Sequence, residues 1–335
     1  MCSLSDMPDI PMNLILGYVG FPSILSLQKV SSHFRNYILR NKPEFKFKKI
    51  SIILDNDSIE VRWFSDWDNL FSSENIVIFY QCQENGYKVG SFHEGKVLGY
   101  CNYIDAFFKD FEQIMSHQKS VLELFDVSVM GTVDAQNLAQ FLKIFEETLK
   151  TNPVKTEKLI LGFSNGDEMT SVLPCLNFNY LKEVLLYSSN FVGRKVCLND
   201  VVGLEQWKNL ERLVTRNVTI SSISIRGLTH FSYLDVEFKP IYAEDLDVLR
   251  QTAMSSSNFK IFRIECHDFN DNRRLAELFG IPFRNEIGNN KKKMWFFDTC
   301  KPGKVLEIVQ WTIFERFIFQ LIEVDSVPNG AEIRS

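Results

Sequence analysis

Cys266, His267 and Asp268 stand side by side in a chain of 335 residues and bring a thiol, an imidazole and a carboxylate together. These are the group types of a nucleophile, its base and the residue that orients the base, provided all three converge within hydrogen-bond reach. Adjacent residues of an extended strand point to opposite faces, so these three cannot assemble by themselves. Cys266 is expected inside the fold and His267 outside it. Asp55, Asp57 and Glu60 form a short acidic group. It lacks the glycine and the terminal bidentate glutamate spacing of a calcium loop. His33, His93, His117, His230 and His267 show no paired zinc spacing. Neither a glycine-rich phosphate loop nor HExxH occurs. The residues therefore argue for a non-enzyme: no catalytic residue, no metal ligand set and no cofactor is assigned. The enzymatic alternative is a hydrolase on Cys266 and His267.

Composition narrows the partners. The chain is 45% hydrophobic and 24% charged with a formal net charge of −5, which gives no reason to expect direct nucleic-acid binding or an anionic membrane surface. Lys291, Lys292 and Lys293 form the compact basic run, and beside Gly288, Asn289 and Asn290 they read as a solvated loop. No apolar run reaches the roughly 18 residues of a membrane span. The stretch from Val305 to Val324 is interrupted by Glu307, Glu315, Arg316 and Glu323. Met1 to Asp9 carries no basic, signal-like start. The 7 cysteines are scattered without a CxxC pair, as expected of free thiols in a reducing compartment. A cytoplasmic or nuclear location, or both, is the expectation.

The elements behind these residues change character along the chain. Leu14, Ile15, Tyr18 and Val19, then Ile24, Leu27 and Val30, then Phe34, Tyr37 and Ile38 recur at helical spacing. Gly20, Phe21 and Pro22 should separate the first helix from the second, with Ser23 as its cap, and Ser31-Ser32 should precede the third. Three short helices before Pro43 make too small a core to stand alone. Beyond Phe45 the spacing turns extended, and Asn85-Gly86 between two apolar runs predicts a hairpin. From Tyr100 helices and strands alternate. One stripe is Ile104, Phe107, Phe108, Phe111, Ile114 and Met115. A second, capped by Asp134, is Leu138, Phe141, Leu142, Phe145 and Leu149, and a weaker third is Leu246, Leu249 and Ala253.

Between the helices a pattern recurs. Writing Φ for apolar, Φ-x-x-Φ-x-Φ occurs at Leu122/Phe125/Val127, Leu181/Val184/Leu186, Phe231/Leu234/Val236 and Phe259/Phe262/Ile264. Thr156/Leu159/Leu161 and Leu210/Leu213/Thr215 are threonine-bearing copies. Irregular spacing of such units points to an α/β fold of leucine-rich-repeat-like type, in which each strand buries its Φ residues and stacks on the next. The expected architecture is a short N-terminal three-helix segment followed by an irregular leucine-rich-repeat-like α/β solenoid with β-hairpin caps. One cap is the N-terminal hairpin; the other is Trp295–Cys300 with Lys304–Trp311, joined around Lys301-Pro302-Gly303. A generic α/β domain is the alternative.

Two resemblances follow. Met7-Pro8, Ile15-Leu16, Val19, Ser23-Ile24-Leu25, Leu27, Val30-Ser31 and Phe34-Arg35 with Ile38 resemble the F-box, with Met7 in place of leucine and Ile10 where an acidic residue is common. Leu204 to Leu210, Leu228 to Phe231, Ala243 to Leu246 and Ser257 to Lys260 resemble the FTH domain of the nematode F-box A proteins. Together they cover about residues 4–42 and 130–270. The division they suggest is 4–42 F-box, 45–100 N-terminal strands and hairpin cap, 101–270 FTH or repeat-like domain, and 271–335 C-terminal cap with a strand hairpin.

The resemblance implies that the N-terminal helices bind a Skp-type adaptor, and through it a cullin, while the remainder recruits a protein target. A non-degradative interaction scaffold is the rival. The adaptor candidates are Pro8, Ile15, Leu16, Val19, Ile24, Leu27, Val30 and Phe34, whose apolar area would be completed by the adaptor. The alternative is that several of them hold the three helices together or dock on the repeat domain. On the strands, residues between the Φ positions should face the open side, where repeat proteins bind partners. Leu185, Tyr187, Arg216, Asp235, Glu237, Arg263 and Glu265 are the target candidates, beside Asp126, Ser128, Ile160 and Val214.

Overall fold

A computed structural model describes residues 7–66, 75–91, 94–99, 102–131, 133–163, 168–188, 194–222, 225–267, 269–285, 292–311 and 315–335. The chain is mixed α/β and divides into two compact units: Met1–Gly162 with Pro174–Tyr180, and Phe163–Leu173 with Leu181–Ser335.

The first unit opens with α1 (Asp9–Tyr18), α2 (Phe21–Val30) and α3 (Ser32–Asn41). Pro8 caps α1 without a side-chain hydrogen bond, whereas the Ser31 hydroxyl accepts from the Phe34 N–H and starts α3. The break between the first two helices is tighter than the sequence suggests. Gly20, not Ser23, is the N-cap of α2, and Phe21 and Pro22 lie inside its first turn. Proline is tolerated there because the first N–H groups of a helix have no intrahelical acceptor.

The strands of this unit are β1 (Lys49–Leu54), β2 (Ser58–Phe64), β3 (Ile76–Gln83), β4 (Gly86–Gly90) and β5 (Gly95–Leu98). They are followed by α4 (Tyr103–Met115), β6 (Leu124–Val129), α5 (Ala135–Leu149) and β7 (Lys158–Gly162). β5 to β1 form an antiparallel run in reverse chain order, and β1 also pairs parallel with β6, which pairs parallel with β7. Ile50, Phe125 and Leu159 lie in one row and Ile52, Val127 and Leu161 in another, all buried. Phe47/Ile50/Ile52 is thus a further Φ-x-x-Φ-x-Φ copy, within a stretch whose spacing predicts only extended chain. The β3–β4 hairpin forms with Glu84 and Asn85 as its turn residues, so Asn85-Gly86 is not the turn pair. Gly86 is needed one step later, at φ 137°, where a Cβ would stand 2.2 Å from the Leu98 carbonyl oxygen.

The three helices are joined to these strands by aromatic packing. Phe21 of α2 is fully buried, with its ring 4.7 Å from Phe45 and 4.9 Å from Phe47, and Phe47 lies 5.0 Å from Trp63. Trp63 continues the cluster to Phe111 of α4 at 5.7 Å. His117 stacks on Phe45 at 4.3 Å and bonds through Nδ1 to the Pro43 carbonyl at 3.0 Å, so Nδ1 carries the proton. Burial depresses its pKa below the ordinary value, outweighing that hydrogen bond. The Gln118 amide clasps both the N–H and the carbonyl of Phe47 at 3.0 Å.

The second unit begins with α6 (Glu168–Val172), β8 (Glu183–Tyr187), β9 (Arg194–Cys197), α7 (Glu205–Lys208), β10 (Arg212–Ser222), β11 (Tyr233–Phe238), α8 (Ala243–Ser255) and β12 (Ile261–Cys266). It ends with α9 (Asn272–Phe279), β13 (Phe283–Asn285), β14 (Lys292–Asp298), β15 (Lys304–Trp311), β16 (Arg316–Glu323) and β17 (Ile333–Arg334). β8, β10, β11 and β12 are parallel neighbours, with Val184, Leu213, Leu234 and Phe262 in one row. β10 is interrupted between Val214 and Thr219, where Asn217 takes φ 56°. Its first half pairs with β8 and its second with β9. The expected C-terminal hairpin is present as β14–β15 around Gly303 at φ 74°, but β16 is the strand that pairs, antiparallel, with β12.

Candidate functional site

α1 is apolar on two sides. Met12 and Leu16 are buried against the neighbouring helices, and the Tyr37 hydroxyl ties α3 to the Asp9 carbonyl at 2.9 Å and to Asn13 Oδ1 at 3.0 Å. On its other side Ile10, Leu14 and Tyr18, four residues apart, are 77%, 60% and 90% exposed. Residues at i, i+4 and i+8 share one helix face, so this is a continuous apolar stripe that nothing in the chain covers among the described residues. Met7 and Val30 are exposed as well.

Against that geometry the eight adaptor candidates separate. Leu16, Ile24 and Phe34 are buried and hold the helices together; Ile15, Val19 and Leu27 are half-buried; Pro8 and Val30 are exposed. Ile10, Leu14 and Tyr18 lie outside the eight candidates, although their spacing of four is legible in the sequence. Of the Ile15-Leu16 pair in the F-box pattern, Leu16 is core.

The second surface is the open face of β8, β10, β11, β12 and β16. Leu185 and Tyr187 are half-buried, aligned with Val214 and Arg216 on β10. Asp235 accepts from Arg216 at 2.9 Å, and Glu265 accepts from Arg316 at 2.9 Å. Glu237 accepts from the Thr219 hydroxyl and lies 3.7 Å from His267, which is also 3.3 Å from Glu315. Arg263 donates to the Tyr233 hydroxyl, and the Arg212 guanidinium lies 3.9 Å above the Tyr233 ring. The seven target candidates therefore share one face, and most of its charges are paired internally. Val214 and, in the first unit, Ser128 are corrections: both are buried, because neighbouring strands and side chains crowd the middle of the sheet.

Cys266 ends β12. Its thiol is buried, donates to the Glu315 carbonyl and is pushed up to about 12 by burial, which keeps it from acting as a thiolate. His267 stands in the turn after β12, exposed beside Glu237 and Glu315, and Asp268 lies outside the described residues. Among the described residues no group of His, Cys, Asp and Glu is arranged to hold a metal ion. No described helix is long and apolar enough to cross a membrane.

Two family models match the chain: the F-box domain over residues 4–46 and the FTH domain over residues 139–283. F-box A protein 224 of Caenorhabditis elegans is 24% identical over 303 residues, covering 90% of this chain and 75% of that protein. No solved structure matches. With an F-box match on α1 to α3, an FTH match that includes the buried Trp207, and a relative of that name aligned over 90% of this chain, the chain belongs to the nematode F-box A family.

Proposed function

We propose that this F-box protein is a non-catalytic, substrate-recruiting subunit of a Skp–cullin–F-box ubiquitin ligase. The observation that carries the reading is the exposed Ile10/Leu14/Tyr18 stripe lying within the matched F-box. Such a stripe is costly in water and is matched by an apolar helical partner, at about 25 cal/mol per Å² of area covered. The adaptor contact comprises this stripe with Pro8, Val30 and the half-buried Ile15, Val19 and Leu27. Leu16, Ile24 and Phe34 support it from inside. The target contact lies on the open face of the second unit, around Leu185, Tyr187, Arg216, Asp235, Glu237, Arg263 and Glu265.

The aligned Φ rows support an irregular leucine-rich-repeat-like arrangement over 101–270, with 45–100 and 271–335 as its strand caps and 4–42 as the F-box. The protein acts in the cytoplasm, the nucleus or both. Mechanistically it raises the concentration of a target beside the ligase by holding both partners at once. The alternative, a non-degradative scaffold that keeps an F-box-like helical cap, is separated by depletion: a protein that co-purifies with the open face should rise in abundance when this chain is removed. Unchanged abundance would favour the scaffold.

A further inference from the structure

We infer that the Arg212–Tyr233–Arg263 corner of the open face receives a carboxylate side chain, so that the segment recruited there is acidic. This deepens the target-receptor reading and rests on it. The argument starts from hydrogen-bond supply. A guanidinium offers five N–H donors. Arg263 is half-buried on β12, and its hydrogen-bond partner among the described residues is the Tyr233 hydroxyl, a neutral group.

The carboxylates nearest to it along the sheet are committed elsewhere. Asp235, its direct neighbour on β11, binds Arg216 at 2.9 Å, and Glu265, two residues on, binds Arg316 at 2.9 Å. Arg212 approaches the same tyrosine from the other side, 3.9 Å above its ring, and reaches Glu183 only at 3.6 Å. Tyr233 accepts from Arg263, which leaves its own hydroxyl proton to donate. Two guanidiniums and one hydroxyl proton therefore meet around Tyr233, and the carboxylate recorded beside them is Glu183, 3.6 Å from Arg212.

Charge complementarity selects the occupant. A planar carboxylate suits a guanidinium fork, and such bonds are stronger than neutral ones. Ile261 and Ile318, half-buried beside Arg263 along the strand and on β16, provide apolar flanks for a neighbouring aliphatic side chain. The partner is thus a protein segment that carries an aspartate or glutamate next to an aliphatic residue.

The test uses the full chain and two fluorescein-labelled peptides, one alternating leucine with glutamate and one alternating leucine with lysine, followed by fluorescence anisotropy. The acidic peptide should bind, the basic one should not, and added salt should weaken the complex. Arg263→Gln should weaken it about tenfold and Arg263→Lys by less, since lysine keeps the charge but not the fork. Arg273→Gln, on the exposed side of α9, should leave it unchanged. Should Arg263→Gln fail to fold, as read by far-UV circular dichroism, Tyr233→Phe decides. It keeps the ring under Arg212 but removes the proton offered to the ligand, and should weaken binding severalfold. Equal binding of the two peptides, binding of neither, or full affinity in a folded Arg263→Gln or Tyr233→Phe variant would overturn the inference. Adaptor binding is read separately on the same samples, so a failure of the ligase reading shows there and leaves the peptide result intact.

Discussion

Replacing Phe21 by alanine tests whether the F-box helices are built into the first unit or merely attached to it. Phe21 is fully buried, and its ring meets Phe45, Phe47 and Trp63, the last at 6.3 Å. Truncation of a buried phenylalanine costs about 3–5 kcal/mol through lost transfer energy and the cavity left behind. Collapse is restricted here, because the neighbours are large rings held by other contacts: Phe45 by the His117 stack, Phe47 by the Gln118 clasp. The expected loss is therefore about 4 kcal/mol, a fall in midpoint of about 8–16 °C for a domain of this size. Urea unfolding followed by far-UV circular dichroism measures it, with Leu14→Ala on the exposed stripe as a control expected to change stability by less than about 0.5 kcal/mol. A Phe21→Ala loss below about 1 kcal/mol would refute the reasoning and mean that α2 is not docked.

Further outcomes are expected. Burial lowers the pKa of both His117 and His230 below their ordinary value, so each is neutral when folded and charges more readily when unfolded. Their contribution is therefore complete above the unfolded value and is lost as pH falls below it. Stability should decline between about pH 7 and pH 5, and a His117→Gln/His230→Gln variant should show a shallower slope in thermal melts. Trp207→Phe keeps the aromatic contact with Phe231 at 5.3 Å but removes the Nε1 bond to the Gly227 carbonyl at 2.9 Å. A loss of about 1–2 kcal/mol is expected in urea unfolding, mainly from the unpaired carbonyl. Gly86→Ala should disrupt β4–β5 pairing, seen as faster amide exchange over those strands, since its Cβ would collide with the Leu98 backbone.

Strand positions and core were legible in the sequence because one period dominated them. The Φ residues at 125/127, 159/161, 184/186, 213, 234/236 and 262/264 are buried, and the structure sets neighbouring strands in register at these positions. The additional copy at Phe47/Ile50/Ile52 escaped because β1 is also one arm of an antiparallel hairpin, whose alternation looks the same. The interruption of β10 left no clear signal: Asn217 is a residue that tolerates a left-handed conformation, but nothing in Arg212–Ser222 demands a break.

The candidate site was legible in kind rather than in detail. The N-terminal helices do present an unpartnered apolar surface, but a helix of ten residues with apolar side chains on two sides does not say which side faces its own neighbours. The burial of Met12 and Leu16 and the Tyr37 bonds to Asp9 and Asn13 settle it, a tertiary choice invisible in α1 alone. The charge pairs on the open face are likewise cross-strand, and pairing depends on register.

The central claim is that the exposed stripe of α1 binds a Skp-type adaptor. Co-expression with such an adaptor followed by size-exclusion chromatography tests it most directly, comparing wild type with Leu14→Asp/Tyr18→Asp. Both residues are exposed, so the double variant should keep its melting temperature, whereas a change at Leu16 would disturb the core. Wild type should form a stoichiometric complex that is lost in the folded double variant. A complex that survives the substitution, or a folded wild type that binds no adaptor, would contradict it.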